Sequence, residues 1–470
     1  MEKESLKENK MGTMPMTRLI LTMSLPAIFS MTILAMYNVV DSIFISHYDM
    51  DGFTAVSLAF PLQLLLIAAS VGTAIGVNSL VSRKLGEQNF EQANATATHG
   101  LVLCLFTYAF FLLLGLFGVR PFMDAFSGGN QRVVEAGVQY FTCVLCLSLF
   151  SIIQVMIEKT LQATGNMIYP MLFQLLGAVV NIIFDPLLIF GIGIFPELGV
   201  LGAAVATVFG QFCGMVFAVI VMFTKSHRVK ITFKGFRFNK FIVKSIYAVG
   251  FPAIIMQSIG AVMMLGLNGI FQAYDSTVSV DVFGIYFKLQ SFVFMPCFGL
   301  NQGVMPIIGY NYGARNNQRM YSALKRGIII AAIIMLAGTV LMWTIPDTLI
   351  SMFGDEGSYT DVDPQTLRAV GEHAFRIISL CFIPAAGGIL FTTLFQAVGK
   401  GFRSLMMSFC RQLLLLLPIA FLLTVTLGVE NAWYAFPIAE YGSLLIAVAF
   451  FINLVRTDFR RLDTQRSPEK

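Results

Sequence analysis

Charge is what this chain has least of. Only 12% of its 470 residues are Asp, Glu, Lys or Arg, whereas 57% are hydrophobic, and the mean hydropathy is +0.77. A soluble protein of this length needs far more polar surface, so a soluble globular fold is excluded and a polytopic membrane protein is implied. Histidine is scarce: His47, His99, His227 and His373 are scattered and form no ligand set. The seven cysteines, at 104, 143, 146, 213, 297, 381 and 410, all fall in apolar runs, which argues against a disulfide framework. Cys143 and Cys146 have CxxC spacing but no second pair, so no metal role is expected there. The GxxxxGK[ST], HExxH and GxSxG patterns are missing, which leaves a membrane enzyme without support. The charged first ten residues precede an apolar stretch with no small-residue cleavage signature, so no removed signal peptide is expected.

What the chain has in abundance is apolar length. Crossing a bilayer takes roughly 20 apolar residues. Runs of that kind, separated by polar breaks, predict twelve helices at 17–45, 53–82, 93–120, 133–160, 167–193, 199–224, 241–272, 281–310, 320–346, 368–396, 402–428 and 432–456. The expected fold is therefore all-α integral membrane. Residues 1–16 form an N-terminal segment, 17–224 a first lobe of six helices, 225–240 a basic linker, 241–456 a second lobe of six, and 457–470 a tail. If the N-terminus is cytoplasmic, 26 of the 31 Lys and Arg fall in cytoplasmic regions, three of them after the tenth span. That asymmetry is the positive-inside pattern, and it predicts a multi-pass protein with both termini cytoplasmic. The linker, KSHRVKITFKGFRFNK, suits topology setting and contact with anionic lipid headgroups, not nucleic acid.

The two halves repeat. Ser24-Leu25-Pro26-Ala27-Ile28 recurs as Gly250-Phe251-Pro252-Ala253-Ile254, and Gly72-x-x-x-Gly76 with Gly86 recurs as Gly299-x-x-x-Gly303 with Gly313. Gln162-Ala163-Thr164-Gly165 recurs as Gln396-Ala397-Val398-Gly399. Six helices per half give both halves the same orientation, so a pseudo-two-fold axis along the membrane normal should relate them. The GxxxG pairs predict close helix packing.

The stretch from Glu158 to Gly193 breaks the apolar rule most sharply. Asn181 and Asp185 lie one turn apart on one helix face, and Pro186 loosens the backbone beside them. A carboxylate in hydrocarbon costs roughly 2.5–3.5 kcal/mol on insertion scales and usually marks an ion or substrate path. Placed by helical rise, Tyr37, Asp41, Tyr140, Asn181, Asp185 and Thr207 fall at similar depth in the outer part of the first lobe. Two carboxylates brought together do not both stay ionised: one takes up a proton or they share a cation. That suits H⁺ and leaves open Na⁺ held by Asp41, Asn181 and Asp185, with no resident metal or cofactor. At the repeat offsets the second half carries Leu267 and Ile419 instead of the two acids. It places Lys288 and Glu440 within spans, read as a salt bridge or a substrate contact. Met256, Met263, Met264 and Met295 are read as core packing or the lining of a compliant cavity.

QATGN at 162–166, NIIFDPLLIFG at 181–191, GAAVATVFGQ at 202–211 and QGVMPIIGYNYGA at 302–314 resemble the bacterial branch of the multidrug and toxic compound extrusion (MATE) family, and the likeness spans roughly residues 15 to 456. The resemblance implies two six-helix lobes, alternating access, and export of cationic or amphiphilic compounds driven by H⁺ or Na⁺ entry. A secondary active multidrug antiporter in a bacterial plasma membrane, acting as a monomer on small-molecule drugs, is the expectation. In the family, acids on the first, fourth or fifth helix of the first lobe are tied to coupling. Asp41 and Asp185 match the first- and fifth-helix positions, and Glu158 a fourth-helix position that varies between acid and amide. Helical rise puts Glu158 about 20 Å from Asp185, which suits a relay or inner-gate role, or an ion pair with Lys159, better than direct pairing. A flippase or exporter of lipid-linked saccharide shares the broader fold. It would favour a basic cavity, for which Lys288 is the one basic residue read as mid-span.

Overall fold

Backbone placed in lipid must satisfy its own hydrogen bonds, so each apolar run becomes a helix. The computed structural model describes residues 9–274, 277–354 and 364–459, and excludes the side chains of residues 37–43, 46, 47, 50, 59, 352–354, 364, 458 and 459. Among the described residues twelve helical spans result, one of them broken. In the amino-terminal lobe they are α1 (Met16–Tyr48), α2 (Met50–Gly86), α3 (Phe90–Phe126), α4 (Gln131–Cys146 with Leu149–Ala163), α5 (Ile168–Ile189) and α6 (Val200–Thr224). The carboxy-terminal lobe has α7 (Lys240–Ala273), α8 (Thr277–Gly313), α9 (Asn317–Thr344), α10 (Gln365–Ala397), α11 (Gly401–Leu427) and α12 (Val429–Thr457). All twelve expected spans are present, with ends displaced by a few residues. The second part of α4 departs from the first by 46°. Neither Pro nor Gly sits at that break. Ser151 Oγ donates to the Ser148 carbonyl at 3.0 Å, a back-bond of the kind that competes with the helical ladder.

The repeat is visible in local geometry. Gln88 and Arg315, 227 positions apart, are the two non-glycine residues with positive φ among the described residues, at 58° and 53°. Each precedes an Asn cap: Asn89 accepts from Gln92 N at 3.0 Å and Asn316 from Arg319 N at 3.1 Å. The same turn is built twice because each half needs the same entry into its third helix. Packing follows suit. Within the first lobe α1 packs on α5, α2 on α3 and α4, and α6 on α4 and α5. In the second, α7 packs on α11, α8 on α9 and α10, and α12 on α10 and α11.

Between the lobes α1 meets α8 and α2 meets α7, the exchange that a two-fold relation demands, while α2 and α8 meet each other. The repeated glycines sit at these seams, on the half of the bundle nearest the N-terminus. A Cβ on Gly72 would lie 2.9 Å from Ile254 N, and one on Gly299 would lie 2.6 Å from Ile28 N. Gly76 faces the Ile246 carbonyl, and Gly86 and Gly313 face the backbone of Tyr310 and Arg83. The turn Lys10–Thr13 is seated at the same face: Arg319 Nη2 donates to the carbonyls of Met11 and Met14, at 3.3 and 2.8 Å, and Asn311 Nδ2 to Met11 at 3.1 Å. The basic linker lies along α3, where Lys230 N donates to Asn94 Oδ1 at 2.7 Å and Asn239 N to His99 Nε2 at 2.9 Å.

Helix backbones this close leave no room for a methyl group, and overpacking typically costs about 1–3 kcal/mol. Gly76→Ala should therefore lower the melting temperature of the purified protein. Gly269→Ala, whose Cβ would meet open space, should leave it unchanged in the same thermal scan.

Candidate functional site: the inter-lobe cavity and the buried carboxylate

Above the glycine seams the lobes part around a cavity of about 670 Å³. Its wall is unusual for a membrane interior because nine glutamines contribute to it, among them Gln154, Gln174, Gln211, Gln257 and Gln412. Amides remain uncharged at every physiological pH yet both donate and accept, so they form a polar wall without the cost of burying charge. Met256 and Met295 line it as expected, joined by Met31, Met305 and Met407. Met263 and Met264 do not. They pack against the hydrophobic core, because about two turns beyond Met256 along α7 they have moved past the cavity.

The floor is a charged knot that joins the lobes. Lys159 Nζ donates to Glu158 Oε1 at 3.2 Å, Gln162 Oε1 at 3.0 Å and Gln302 Oε1 at 2.7 Å. Gln302 belongs to α8, so the last of these bonds crosses between lobes. Gln162 Nε2 donates to Glu158 Oε1 at 3.0 Å and to Gln302 Oε1 at 3.1 Å, and Gln174 Nε2 reaches Glu158 Oε2 at 2.9 Å. Glu158 is 2% exposed and Lys159 7%. The Glu158–Lys159 ion pair is thus real, and it sits inside the structure, not at a loop surface. Both carboxylate oxygens and all three ammonium protons of the pair have partners.

The second polar group lies further along α5. Asn181 Nδ2 donates to Asp185 Oδ1 at 3.1 Å and to Thr207 Oγ1 of α6 at 3.3 Å. Asp185 is fully buried, and Asn181 and Thr207 are buried at 3% and 5% exposure. Asn181 and Thr207 belong to the cavity wall whereas Asp185 does not, so the amide stands between the carboxylate and the cavity. Tyr140 is buried on α4 with its ring 4.9 Å from that of Phe141. The side chains of Tyr37 and Asp41 lie outside the described residues. Gln174, Asn181 and Asp185 share one face of α5 at i, i+7 and i+11, so one helix carries partners of both groups.

In the second lobe the expected Lys288–Glu440 pair is not formed. Lys288 is exposed on α8, away from the described cavity wall. Glu440 instead accepts from Arg411 Nη1 at 2.7 Å, and its Oε2 from Ser443 Oγ at 3.4 Å. Arg411 stands ten residues into α11 and lines the cavity, so Lys288 is not the basic residue at mid-depth. It was grouped with the basic loop after α10 because charge counting by loop has no measure of depth. Arg411 is the second residue of a π-helical segment, Cys410–Leu416, a widening often found where a helix serves a site. The half of this lobe away from the N-terminus is filled by rings in place of acids: Phe271 lies 4.9 Å from Trp433, and Tyr286 lies 5.9 Å from Phe436.

The glutamine wall, the Gln302 bridge and Arg411 are readable signals too, namely glutamines and one guanidinium inside apolar runs, but none of them was among the expected site residues. Removing one partner of a buried pair costs about 3–5 kcal/mol, and removing both costs far less. Lys159→Met should therefore lower the thermal midpoint sharply, and Lys159→Met combined with Glu158→Gln should recover most of the loss in the same scan.

The sequence profile of the MatE family matches residues 26–187 and 252–422, one match in each lobe. An FAD transporter of Shewanella oneidensis is 26% identical over 440 residues, covering 93% of this chain and 94% of that protein. The multidrug export protein MepA of Staphylococcus aureus (strain N315) is 25% identical over 454 residues, covering 96% of each. Among solved structures, a MOP superfamily transporter from Pyrococcus furiosus superposes with a TM-score of 0.89 at 23% identity, covering 97% of this chain and 99% of that one. A multidrug resistance MATE transporter in an outward-facing conformation superposes at 0.86 and 24% identity, with the same coverage. Both structures share the twelve-helix, two-lobe fold. With a profile match in each repeat and that architecture beneath it, the chain belongs to the MatE family, whose members are membrane transporters and not enzymes.

Proposed function

We propose that this protein is a secondary active multidrug exporter that exchanges amphiphilic or cationic small molecules for H⁺, or for Na⁺, by alternating access. The observation that carries the coupling half of this reading is the fully buried Asp185 carboxylate, bonded to an amide that faces the cavity. Protonating Asp185, or giving it a cation, weakens its pull on Asn181 Nδ2 and alters the Asn181–Thr207 contact between α5 and α6. Coupling needs only that the acid's affinity for the ion differ between the two access states. Similarity to MepA along nearly the whole chain supports drug export as the task.

With both termini cytoplasmic in a bacterial plasma membrane, as the distribution of Lys and Arg favours, the glycine seams and the Lys159–Gln302 bridge would close the inner face. This conformer would then be outward-facing, and Glu158 would belong to the inner gate. Two ion-paired cations and one fully bonded carboxylate leave the described cavity close to neutral, which does not resemble a cradle for a lipid diphosphate and weighs against the flippase reading.

Asp185→Asn should bind a fluorescent amphiphile with nearly unchanged affinity. In proteoliposomes its efflux under an imposed ΔpH or ΔNa⁺ should fall about tenfold or more. Gradient-driven efflux at the wild-type rate would remove Asp185 from the mechanism.

A further inference from the structure

The cavity is near neutral in sum, but its two cations are not equivalent. Lys159 has no proton to spare, since each of its three N–H donors already meets an oxygen of Glu158, Gln162 or Gln302. Arg411 makes one hydrogen bond among the described residues, from Nη1 to Glu440 Oε1. A guanidinium has five N–H donors. Glu440 occupies one corner, and the Nε–Nη2 edge remains, which matches the two oxygens of a carboxylate or phosphate. The side chain of Arg411 is 29% exposed where Glu440 behind it is 11% exposed, so the guanidinium and not the acid faces the cavity. The only carboxylate in the described cavity wall, Glu158, has both oxygens engaged. Cations entering from solution therefore meet no uncommitted acid there, whereas anions meet an uncommitted donor edge. Ser408, Gln412 and Met407 of the same helix and Met256 of α7 line the same cavity as Arg411. They supply amide and hydroxyl contacts beside a compliant apolar surface.

We propose that Arg411 is a specificity-determining residue that anchors an anionic group, carboxylate or phosphate, on the transported amphiphile. Glu440 serves as a positioning residue that orients the guanidinium and offsets its charge while the cavity is empty. The assignment deepens the exporter reading and rests on it: among the amphiphiles carried, those that bear an acid, zwitterions included, would be preferred, with their apolar body along the methionines and their acid at α11.

The test uses the full chain in lipid nanodiscs and two dyes that differ only at the acid, a zwitterionic carboxy-rhodamine and its methyl ester, with binding followed by fluorescence anisotropy. Wild type should bind the free acid about tenfold more tightly than the ester, as a charge-assisted contact would produce. Arg411→Gln combined with Glu440→Gln, which removes the pair as a unit and leaves no orphaned charge, should abolish that preference while the ester binds as before. Arg411→Lys should retain part of it. A preference that survives the double substitution, or a wild type that binds the ester alone, overturns the role of Arg411 and leaves the exporter reading standing. A wild type that binds neither dye overturns both. A comparison on wild type alone covers the case in which the double variant does not fold: naphthoate should displace the bound acid dye at lower concentration than naphthamide. Equal displacement by the two would overturn the proposal.

Discussion

The Lys159 ammonium is the interaction on which the arrangement of the lobes depends. It sits almost wholly buried, takes its charge partner from the adjacent residue, and spends one of its three donors on Gln302 of the opposite lobe. A buried cation is tolerated only if every proton finds an oxygen, so the lobes cannot separate at the cavity floor without leaving an ammonium donor unmet. The glycine seams beside it give dispersion contacts but no specificity. The ammonium supplies the condition that must be satisfied. Water reaching the floor would satisfy it as well, which makes the same knot suitable for a gate: stable when dry, and inexpensive to open once hydrated.

The two lobes share a backbone plan and differ in what fills the halves away from the N-terminus. In the first, an acid, an amide and a hydroxyl on α5 and α6 form a small polar group. In the second, the corresponding volume holds Phe271, Phe283, Tyr286, Phe436 and Trp433, packed ring against ring. Rings fill that space without a carboxylate, so the buried acid of the first lobe has no counterpart there. The polar group of the second lobe is placed lower, where Arg411 and Glu440 meet beside the cavity. The Asp185 group and the Arg411–Glu440 pair thus lie in different lobes, and Gln174, Asn181 and Asp185 on one face of α5 connect the Lys159 knot with the Asp185 carboxylate.

Much of this could be read in the residues before any coordinates. Hydrophobic length alone decides that a segment spans a bilayer, so the twelve spans, their order and the six-plus-six repeat were legible. So was the buried position of Asp185, because Asn181 and Asp185 at i, i+4 must share a helix face. The Glu158–Lys159 pair was legible as adjacency in the chain, though its depth was not. The Lys288–Glu440 pairing failed for an instructive reason. Both residues lie within spans, but helical phase decides which face each shows, and Lys288 faces away from the cavity while Arg411 faces Glu440.

By itself the sequence determined the class, the number of crossings, the internal repeat and the presence of an acid that water cannot easily reach, since each follows from local composition and helical period. Only the tertiary structure decided which lone polar groups meet: that Gln302 completes the coordination of Lys159, that Arg411 and not Lys288 answers Glu440, and that nine glutamines from both lobes line one cavity. Those pairings join residues tens to hundreds of positions apart. In a bilayer the rotation of each helix about its axis is set by its neighbours and not by its own residues.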